Sequence, residues 1–163
     1  MLCKIDNYFR ILYRLSGYIA AIFLILVATF ILTGIASRIF GFYIRGLAEY
    51  SGYCMAAASF LALAYTFGEK GHIRITLFLE KSNKTIRRYL EIWCLSIATF
   101  FSGFLSFYFL KMLMISFNFQ ERSEGADEIL IWIPQVPVAL GSSIFFICVL
   151  HNFILLILKK NNI

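Results

Sequence analysis

Charge is scarce in this sequence. Only 15% of its 163 residues are Asp, Glu, Lys or Arg, whereas 61% are hydrophobic and the mean hydropathy is +0.81. A soluble domain of this size carries about a quarter charged residues and about half apolar ones. The core of so short a chain cannot enclose this much apolar surface, so part of that surface must face lipid. The composition therefore excludes an ordinary soluble domain and predicts an integral membrane protein.

Paired cysteines are also missing. Cys3, Cys54, Cys94 and Cys148 form no CxxC pair, and three of them fall inside apolar runs, where a free cysteine behaves as a small buried apolar residue. This spacing excludes a disulfide framework and the usual zinc motifs. It also excludes a quinone-linked disulfide oxidase, which has four helices but needs paired cysteines outside the membrane.

Histidine is limited to two residues, and their places argue against a haem or a metal site. His72 lies in a charged loop and His151 lies near the inner end of the last apolar run. A haem held by two histidines needs both inside the bundle and facing each other. The sequence also lacks a Gly-rich phosphate loop, a nucleophile elbow and a paired catalytic carboxylate motif. We therefore expect no catalytic residues, no metal, no cofactor and no enzyme activity.

Four long apolar runs are present, at residues 15–36, 47–67, 89–110 and 132–158. At about 1.5 Å per residue, each is long enough for a hydrocarbon core of about 30 Å. The runs are continuously apolar rather than alternating, which predicts helices and not a barrel. The first run exceeds the roughly 7–15 residues of a signal-peptide core, so we expect it to be retained. Without repeats or linkers, residues 1–163 are predicted to form one all-α domain with four transmembrane helices.

The basic residues predict the orientation of these spans. Eleven Lys and Arg residues fall in the two tails and in the loop between the second and third spans. The connections on the other side have only Arg38, Arg45 and Arg122, besides Lys111 at the outer end of the third span. Cytoplasmic loops carry the excess of Lys and Arg, so both termini are predicted to be cytoplasmic. Because these residues lie between apolar runs and not along one exposed face, the net charge of +6 does not indicate nucleic-acid binding.

Short interfacial helices are predicted in the connections. In the middle loop, apolar residues recur with helical spacing at Ile75, Phe78, Leu79, Ile86 and Leu90. The basic residues predicted to meet lipid headgroups there are Lys81, Lys84, Arg87 and Arg88. Each contributes about 1 kcal/mol beside anionic lipid. An irregular charged loop remains the alternative. Residues 37–50 are likewise expected to form an interfacial segment that leads into the second span.

Three charged residues of that segment share a helical face. Arg38 and Arg45 are seven apart, and Glu49 follows Arg45 by four. A carboxylate at the membrane needs a partner, and Arg45 is the nearest candidate. Because Glu49 lies at the edge of the membrane and not at its midplane, a structural ion pair or subunit contact is favoured over an ion relay. No charge lies securely at the midplane of any span, so the chain alone is not expected to carry protons or sodium.

The order of motifs along the chain resembles a known family. RIFG at Arg38–Gly41 is followed by Glu49 and by a second span rich in small residues. GEKGHIRI at Gly68–Ile75 comes next and leads into a basic loop and the third span. The fourth span opens with IPQVPVALG at Ile133–Gly141. This layout resembles the small membrane subunit of tripartite ATP-independent periplasmic (TRAP) transporters, the DctQ-like family. The resemblance covers nearly the whole chain.

The resemblance implies partners that composition does not show. Such a subunit sits in the bacterial inner membrane beside a large multi-span subunit that carries substrate and sodium, and a periplasmic solute-binding protein delivers an organic acid. The small subunit acts as a scaffold among membrane lipids. Residues that this implies in partner or scaffold contacts are Arg38, Arg45, Glu49, His72, Arg74, Pro134 and Gly141. The alternatives are a membrane anchor subunit of a redox complex, holding quinone or haem, and a purely structural membrane protein.

Overall fold

Four α-helices make up most of the structure. The computed structural model describes residues 2–42, 44–68, 84–123 and 128–158, with side chains of residues 9–42, 44–68, 88–123 and 128–157. The helices are α1 (Leu2–Ile39), α2 (Leu47–Gly68), α3 (Lys84–Phe119) and α4 (Trp132–Leu158). The expectation of an all-helical fold is confirmed. α2 and α4 begin at the predicted first residues of the second and fourth spans.

Three of these helices are long and apolar enough to cross a membrane, namely Phe9–Ile39, Arg88–Phe119 and Trp132–Ile157. α2 has 22 residues but is not among them, because its tyrosines, serines, Thr66 and Glu49 lower its mean hydropathy. α1 and α3 extend past the predicted spans at both ends. Helical hydrogen bonding does not stop where the apolar run stops, so hydropathy marks the membrane-facing part and not the helix ends.

α2 and α4 form the centre of the bundle. α1 packs along α2, α2 packs on α4, and α3 packs along the other side of α4, whereas α1 and α4 touch only slightly. The central contacts use mainly small side chains. The buried apolar residues of α2 and α4 are Ala57, Ala58, Leu61, Ala64, Ala139, Cys148 and Val149. Small residues let helix backbones approach closely, which is how helices associate in lipid.

The outer helices expose large apolar side chains. On α1, Ile22 and Ile25 are 59% and 66% exposed, and on α3 Trp93 and Phe100 are 66% and 70% exposed. Soluble monomers rarely expose contiguous apolar patches of more than a few hundred Å². The surfaces of α1 and α3 therefore fit a lipid surrounding.

The connection between α1 and α2 corrects one expectation. Its described residues form two turns, at Phe40–Gly41 and Arg45–Gly46, and not a short interfacial helix. Gly41 has φ +77°, its N–H donates to the Arg38 carbonyl (3.3 Å), and the Phe42 N–H donates to the Ser37 carbonyl (3.0 Å). This is a Schellman cap, in which a left-handed glycine ends the helix. Most of the interfacial helix predicted in the middle loop falls in residues 69–83, outside the described residues, and α3 takes up the part from Lys84 onward.

A short hairpin joins α3 to α4. Arg122 and Leu130 form an antiparallel bridge, and the Ile131 N–H donates to the Glu121 carbonyl (3.0 Å). The buried Ser116 hydroxyl donates to the Glu121 carboxylate (2.9 Å), which ties the hairpin to the last turns of α3. Arg122 and Glu128 form an exposed ion pair at 3.5 Å. The hairpin thus holds the ends of α3 and α4 at a fixed separation.

Candidate functional site

A close approach of two helix backbones lies where α4 crosses α2. A Cβ placed on Gly141 would stand 2.9 Å from the Leu61 nitrogen and 2.9 Å from the Phe60 carbonyl carbon. Both are backbone atoms, so no side-chain rotation relieves the contact. Gly141, which the family resemblance places among the partner or scaffold contacts, is buried inside the chain's own bundle. Only glycine fits there without moving one helix away from the other.

Polar contacts between helices reinforce this packing, and none of them was predicted from the sequence. Ser106 of α3 and Ser143 of α4 share a hydrogen bond of 3.1 Å between their hydroxyls. The buried Cys148 thiol of α4 faces the Ala64 carbonyl of α2 at 3.6 Å. The spacing of Ser102 and Ser106, one helical turn apart, is the sequence signal that indicates a polar contact face. Interhelical hydrogen bonds in membrane proteins average about 0.6 kcal/mol each.

A groove lies at the end of the bundle where α2 and α4 begin and α3 ends. We call it the three-helix groove; its volume is about 230 Å³. Its lining is Tyr53, Ala56, Phe109, Met112, Ile131, Pro134, Gln135 and Val138. The Tyr53 and Ser123 hydroxyls hydrogen-bond at 3.1 Å, which joins α2 to the hairpin beside the groove. No single motif in the sequence marks this groove, because its walls come from three separate segments, 53–56, 109–112 and 131–138.

Pro134 lies in the first turn of α4, where its missing N–H needs no helical partner. Pro137 lies inside α4, so it removes the N–H that would bond to the Ile133 carbonyl. Pro134 also lines the three-helix groove, whereas Pro137 lies beyond the first turn of α4.

The charged candidates of the first connection lie around the start of α2. Arg38 is exposed in the last turn of α1, Arg45 is exposed in the turn before α2, and Glu49 is half-buried in the first turn of α2. A carboxylate in a first turn is favoured by the helix dipole, worth about 0.3–1 kcal/mol. The Arg45–Glu49 ion pair stays a prediction.

Several other candidates fall outside the described residues. His72, Arg74 and Lys81 lie in the undescribed middle loop, and Lys84 and Arg87 belong to the start of α3 with side chains that are not described. Arg88, the last of the four basic residues predicted to meet lipid headgroups, is half-buried in the second turn of α3.

Possible metal ligands are dispersed in the described part of the chain. Within residues 9–42, 44–68, 88–123 and 128–157, no three His, Cys, Asp or Glu side chains come together as a metal site would require. His151 packs against the ring of Phe9, with 4.5 Å between the ring centroids. In the part of the chain that the structure describes, the arrangement offers helix-packing surfaces and a groove.

Comparison with known proteins decides the family. The profile of the DctQ component of the tripartite ATP-independent periplasmic transporters matches residues 27–159, from the middle of α1 to the end of α4. The chain belongs to this DctQ family. The resemblance drawn from the motifs is thereby confirmed. Comparison with curated proteins and with solved structures gives no match.

Membership of the DctQ family places the chain in a transporter as one of its components. The membrane-spanning character of α1, α3 and α4 agrees with a multi-pass membrane protein. A component of a tripartite system associates with the other parts of that system, so surfaces that fit a partner are the functional features to seek.

Proposed function

We propose that this DctQ component is the small membrane subunit of a sodium-coupled secondary transporter and forms a scaffold for the large transport subunit. The system takes up an organic acid delivered by a periplasmic binding protein. The observation that carries the proposal is the family match over residues 27–159. The substrate class and the sodium coupling come from what the family resemblance implies.

The positions of the charged residues support a role for this chain as a scaffold and not as the subunit that carries ions or substrate. The predicted spans contain Glu49 and Glu91 near their ends and no Asp, Glu, Lys or Arg in their central turns. Ion and substrate pathways in membrane proteins use polar or ionisable groups near the midplane, often beside broken helices. The interior here is packed with Ala, Gly, Ser and Val instead. Such an interior suits a rigid support.

The proposed topology has four spans, with both termini in the cytoplasm of a bacterium and the hairpin outside the inner membrane. At 22 residues, α2 is about 33 Å long, enough for a hydrocarbon core of about 30 Å. α2 is packed between α1 and α4, so its lower hydropathy is compatible with spanning. The distribution of Lys and Arg supports the orientation.

The contact residues keep their proposed roles within this topology. Arg38, Arg45 and Glu49 lie where α1 meets α2, at the bundle end that holds the three-helix groove, so we assign them to partner contact there. In the sequence, His72 and Arg74 follow α2, and Lys81, Lys84, Arg87 and Arg88, which we propose meet lipid headgroups, come after them. Gly141 supports the scaffold from within, through its contact with α2.

Reconstitution tests the proposal. The chain co-expressed with its large subunit is expected to co-purify with it, and proteoliposomes containing both, supplied with the binding protein, should take up an organic acid in a sodium gradient. Omitting the chain should reduce uptake to background, and the chain alone should move no solute. Uptake by the isolated chain, or failure to co-purify with the large subunit, would refute the scaffold role.

A double-mutant cycle tests the Arg45–Glu49 pair. Glu49→Gln and Arg45→Gln are each expected to lower co-purification of the large subunit, and the double variant should lose less than the sum of the two. Because Arg45 is exposed, the coupling should be about 0.2–1 kcal/mol, the range of solvent-accessible pairs. Arg122→Gln, in an exposed pair of the hairpin, is the matched control. Strictly additive losses would show that Arg45 and Glu49 do not interact.

A further inference from the structure

Two arginines lie on the exposed face of α1 near its N-terminal end. Arg10 and Arg14 are both exposed, and Tyr18, one turn further along the helix, is 69% exposed. Residues four apart lie above one another on a helix, so these three form one ridge. The residues that pack α1 on the bundle, such as Tyr13 and Ala20, are buried on another side of the helix. The ridge is therefore turned away from the interior of the chain.

The length of α1 puts this ridge at the level of lipid headgroups. Arg14 and Arg38 belong to the same helix, and no charged residue lies between them. Their separation along the helix axis is about 36 Å at about 1.5 Å per residue. The hydrocarbon core is about 30 Å thick, and the bilayer with its headgroup layers is about 40–45 Å thick. When Arg38 lies at one surface, Arg14 therefore lies in the opposite headgroup layer, with Arg10 one turn further out.

The charge at this end of α1 favours an anion. Residues 2–14 contain Lys4, Arg10 and Arg14 but one acidic residue, Asp6, so their net charge is +2. Arg14 also has an interaction within the chain, but a guanidinium group carries five N–H donors and can bind a phosphate through the remaining ones. Arginine commonly binds phosphate through two parallel hydrogen bonds. Because Cα–Cβ bonds tilt toward the N-terminus of a helix, Arg14 and Tyr18 lean toward Arg10 and the headgroup layer.

The face of α1 beyond the ridge suits acyl chains better than a partner helix. Its large side chains are aliphatic, and Ile22, Ile25 and Leu32 are 59%, 66% and 66% exposed. Its two threonines direct their hydroxyls to their own helix. Thr29 donates to the Ile25 carbonyl (2.8 Å), and Thr33 donates to the Thr29 carbonyl (2.7 Å). Interhelical contacts in lipid commonly use such hydroxyls, so a surface that keeps them within the helix favours lipid as its neighbour.

We infer that Arg10 and Arg14 bind the phosphate of an anionic phospholipid in the leaflet at the N-terminal end of α1, which is the cytoplasmic leaflet in the proposed topology. The Tyr18 hydroxyl donates to the ester oxygens at the base of the headgroup, where tyrosine is enriched in membrane proteins. The acyl chains lie along the apolar face that continues from Leu15 to Ile22. This lipid site is separate from the basic residues of the middle loop and does not require the large subunit.

Lipid titration followed by native mass spectrometry tests the site. The chain purified in detergent is titrated with phosphatidylglycerol, which is anionic, or with phosphatidylcholine, which has the same phosphate but no net charge. We expect the first phosphatidylglycerol to bind at least tenfold more tightly than the first phosphatidylcholine. Arg10→Gln together with Arg14→Gln should weaken phosphatidylglycerol binding by about tenfold or more, because each basic residue adds to the attraction of an anionic lipid. Equal affinity for the two lipids would overturn the inference.

Arg122→Gln together with Lys111→Gln is the charge-matched control. Both residues are exposed and lie outside α1, so this pair removes two positive charges without touching the ridge. Phosphatidylglycerol binding should stay within about twofold of the unmodified chain, because exposed charges farther away than a Debye length are screened. Equal weakening by the two double variants would show that binding follows net charge alone, and the inference would fail.

Arg14→Lys separates the guanidinium group from its charge and keeps the test decisive if the glutamine pair does not fold. Lysine retains the positive charge but cannot form two parallel hydrogen bonds to one phosphate. We expect phosphatidylglycerol to bind about threefold more weakly, since the bidentate contact is lost. The unfolding temperature of the lipid-free chain should be unchanged, because Arg14 is exposed. Unchanged lipid affinity would show that the Arg14 guanidinium does not hold the phosphate.

Photo-crosslinking distinguishes a lipid from a protein at the ridge. A benzophenone-bearing phenylalanine analogue replaces Tyr18, and the chain with its large subunit is placed in vesicles of phosphatidylglycerol and phosphatidylcholine. We expect crosslinks to phospholipid that are enriched in phosphatidylglycerol, and this enrichment should disappear with Arg10→Gln and Arg14→Gln. Crosslinks mainly to the large subunit would assign the ridge to the subunit interface and overturn the inference. If the lipid results hold but the large subunit does not co-purify, the lipid site stands and the scaffold function fails.

Discussion

Gly141→Leu is expected to destabilise the free chain by about 3 kcal/mol, and Gly141→Ala by about 1–2 kcal/mol, the range for overpacked interiors. The reason is the contact at the crossing of α2 and α4, where a Cβ would lie 2.9 Å from two backbone atoms of Phe60 and Leu61. Backbone atoms inside a helix cannot move aside singly, so the two helices must separate. Thermal unfolding of the detergent-solubilised chain measures the effect.

Gly52→Leu is the matched control for Gly141. Gly52 is also a helical glycine, but nothing lies within 4 Å of a Cβ built on it. Leucine should be neutral there or stabilising by up to about 1 kcal/mol, because it favours the helix more than glycine does. Similar losses of stability for the two glycines would show that the loss at Gly141 does not come from the close contact at the crossing of α2 and α4. If the chain tolerated Gly141→Leu without loss of stability, α2 and α4 could not cross as closely as described.

Tyr13→Ala is expected to cost the free chain about 3 kcal/mol, at the lower end of losses for truncated buried aromatic residues. The side chain is 5% exposed, and its ring lies directly over Gly68 at the end of α2. Removing the ring leaves a cavity between α1 and α2 that neither helix can fill without shifting. The loss should appear as a lower unfolding temperature in detergent.

Tyr18→Ala provides the comparison for Tyr13 on the same helix. Tyr18 is 69% exposed, so its truncation should change stability by no more than about 0.5 kcal/mol. Losses of similar size at both positions would indicate that α1 does not pack on α2 through the face that contains Tyr13. A loss confined to Tyr13 would identify the contact that holds α1 to the bundle.

Membrane character and family could be predicted from the sequence because both depend on patterns along the chain. Continuous apolar runs force backbone groups to pair within a helix, and α2 and α4 begin at the residues where those runs begin, Leu47 and Trp132. The order of the RIFG, GEKGHIRI and IPQVPVALG motifs is likewise a linear feature, and the family match to residues 27–159 confirms the resemblance drawn from it.

Local backbone detail was predictable only in part. The two glycines of the first connection weaken a helix, yet the expectation of an interfacial helix there is wrong in the described residues. The decisive features are the positive φ angles of Gly41 and Gly46, +77° and +79°. A left-handed residue ends a helix whatever the hydropathy of its neighbours. α1 and α3 are longer than the predicted spans because their polar end residues continue the helix. A hydropathy pattern places the end of a span where the apolar residues stop, so it misses these helical ends.

The tertiary structure alone decided which helices meet and what lies between them. Lipid tails are as apolar as leucine, so hydropathy places a run in the membrane without choosing its neighbour; steric fit and a few interhelical hydrogen bonds make that choice. Hence the sequence draws attention to Gly141 but does not identify the α2 backbone that lies opposite it. In the same way, the sequence does not show that Ser106 has Ser143 as its hydrogen-bond partner. The three-helix groove is the clearest case. Its walls come from three segments that are distant in the sequence, so no linear pattern could predict it.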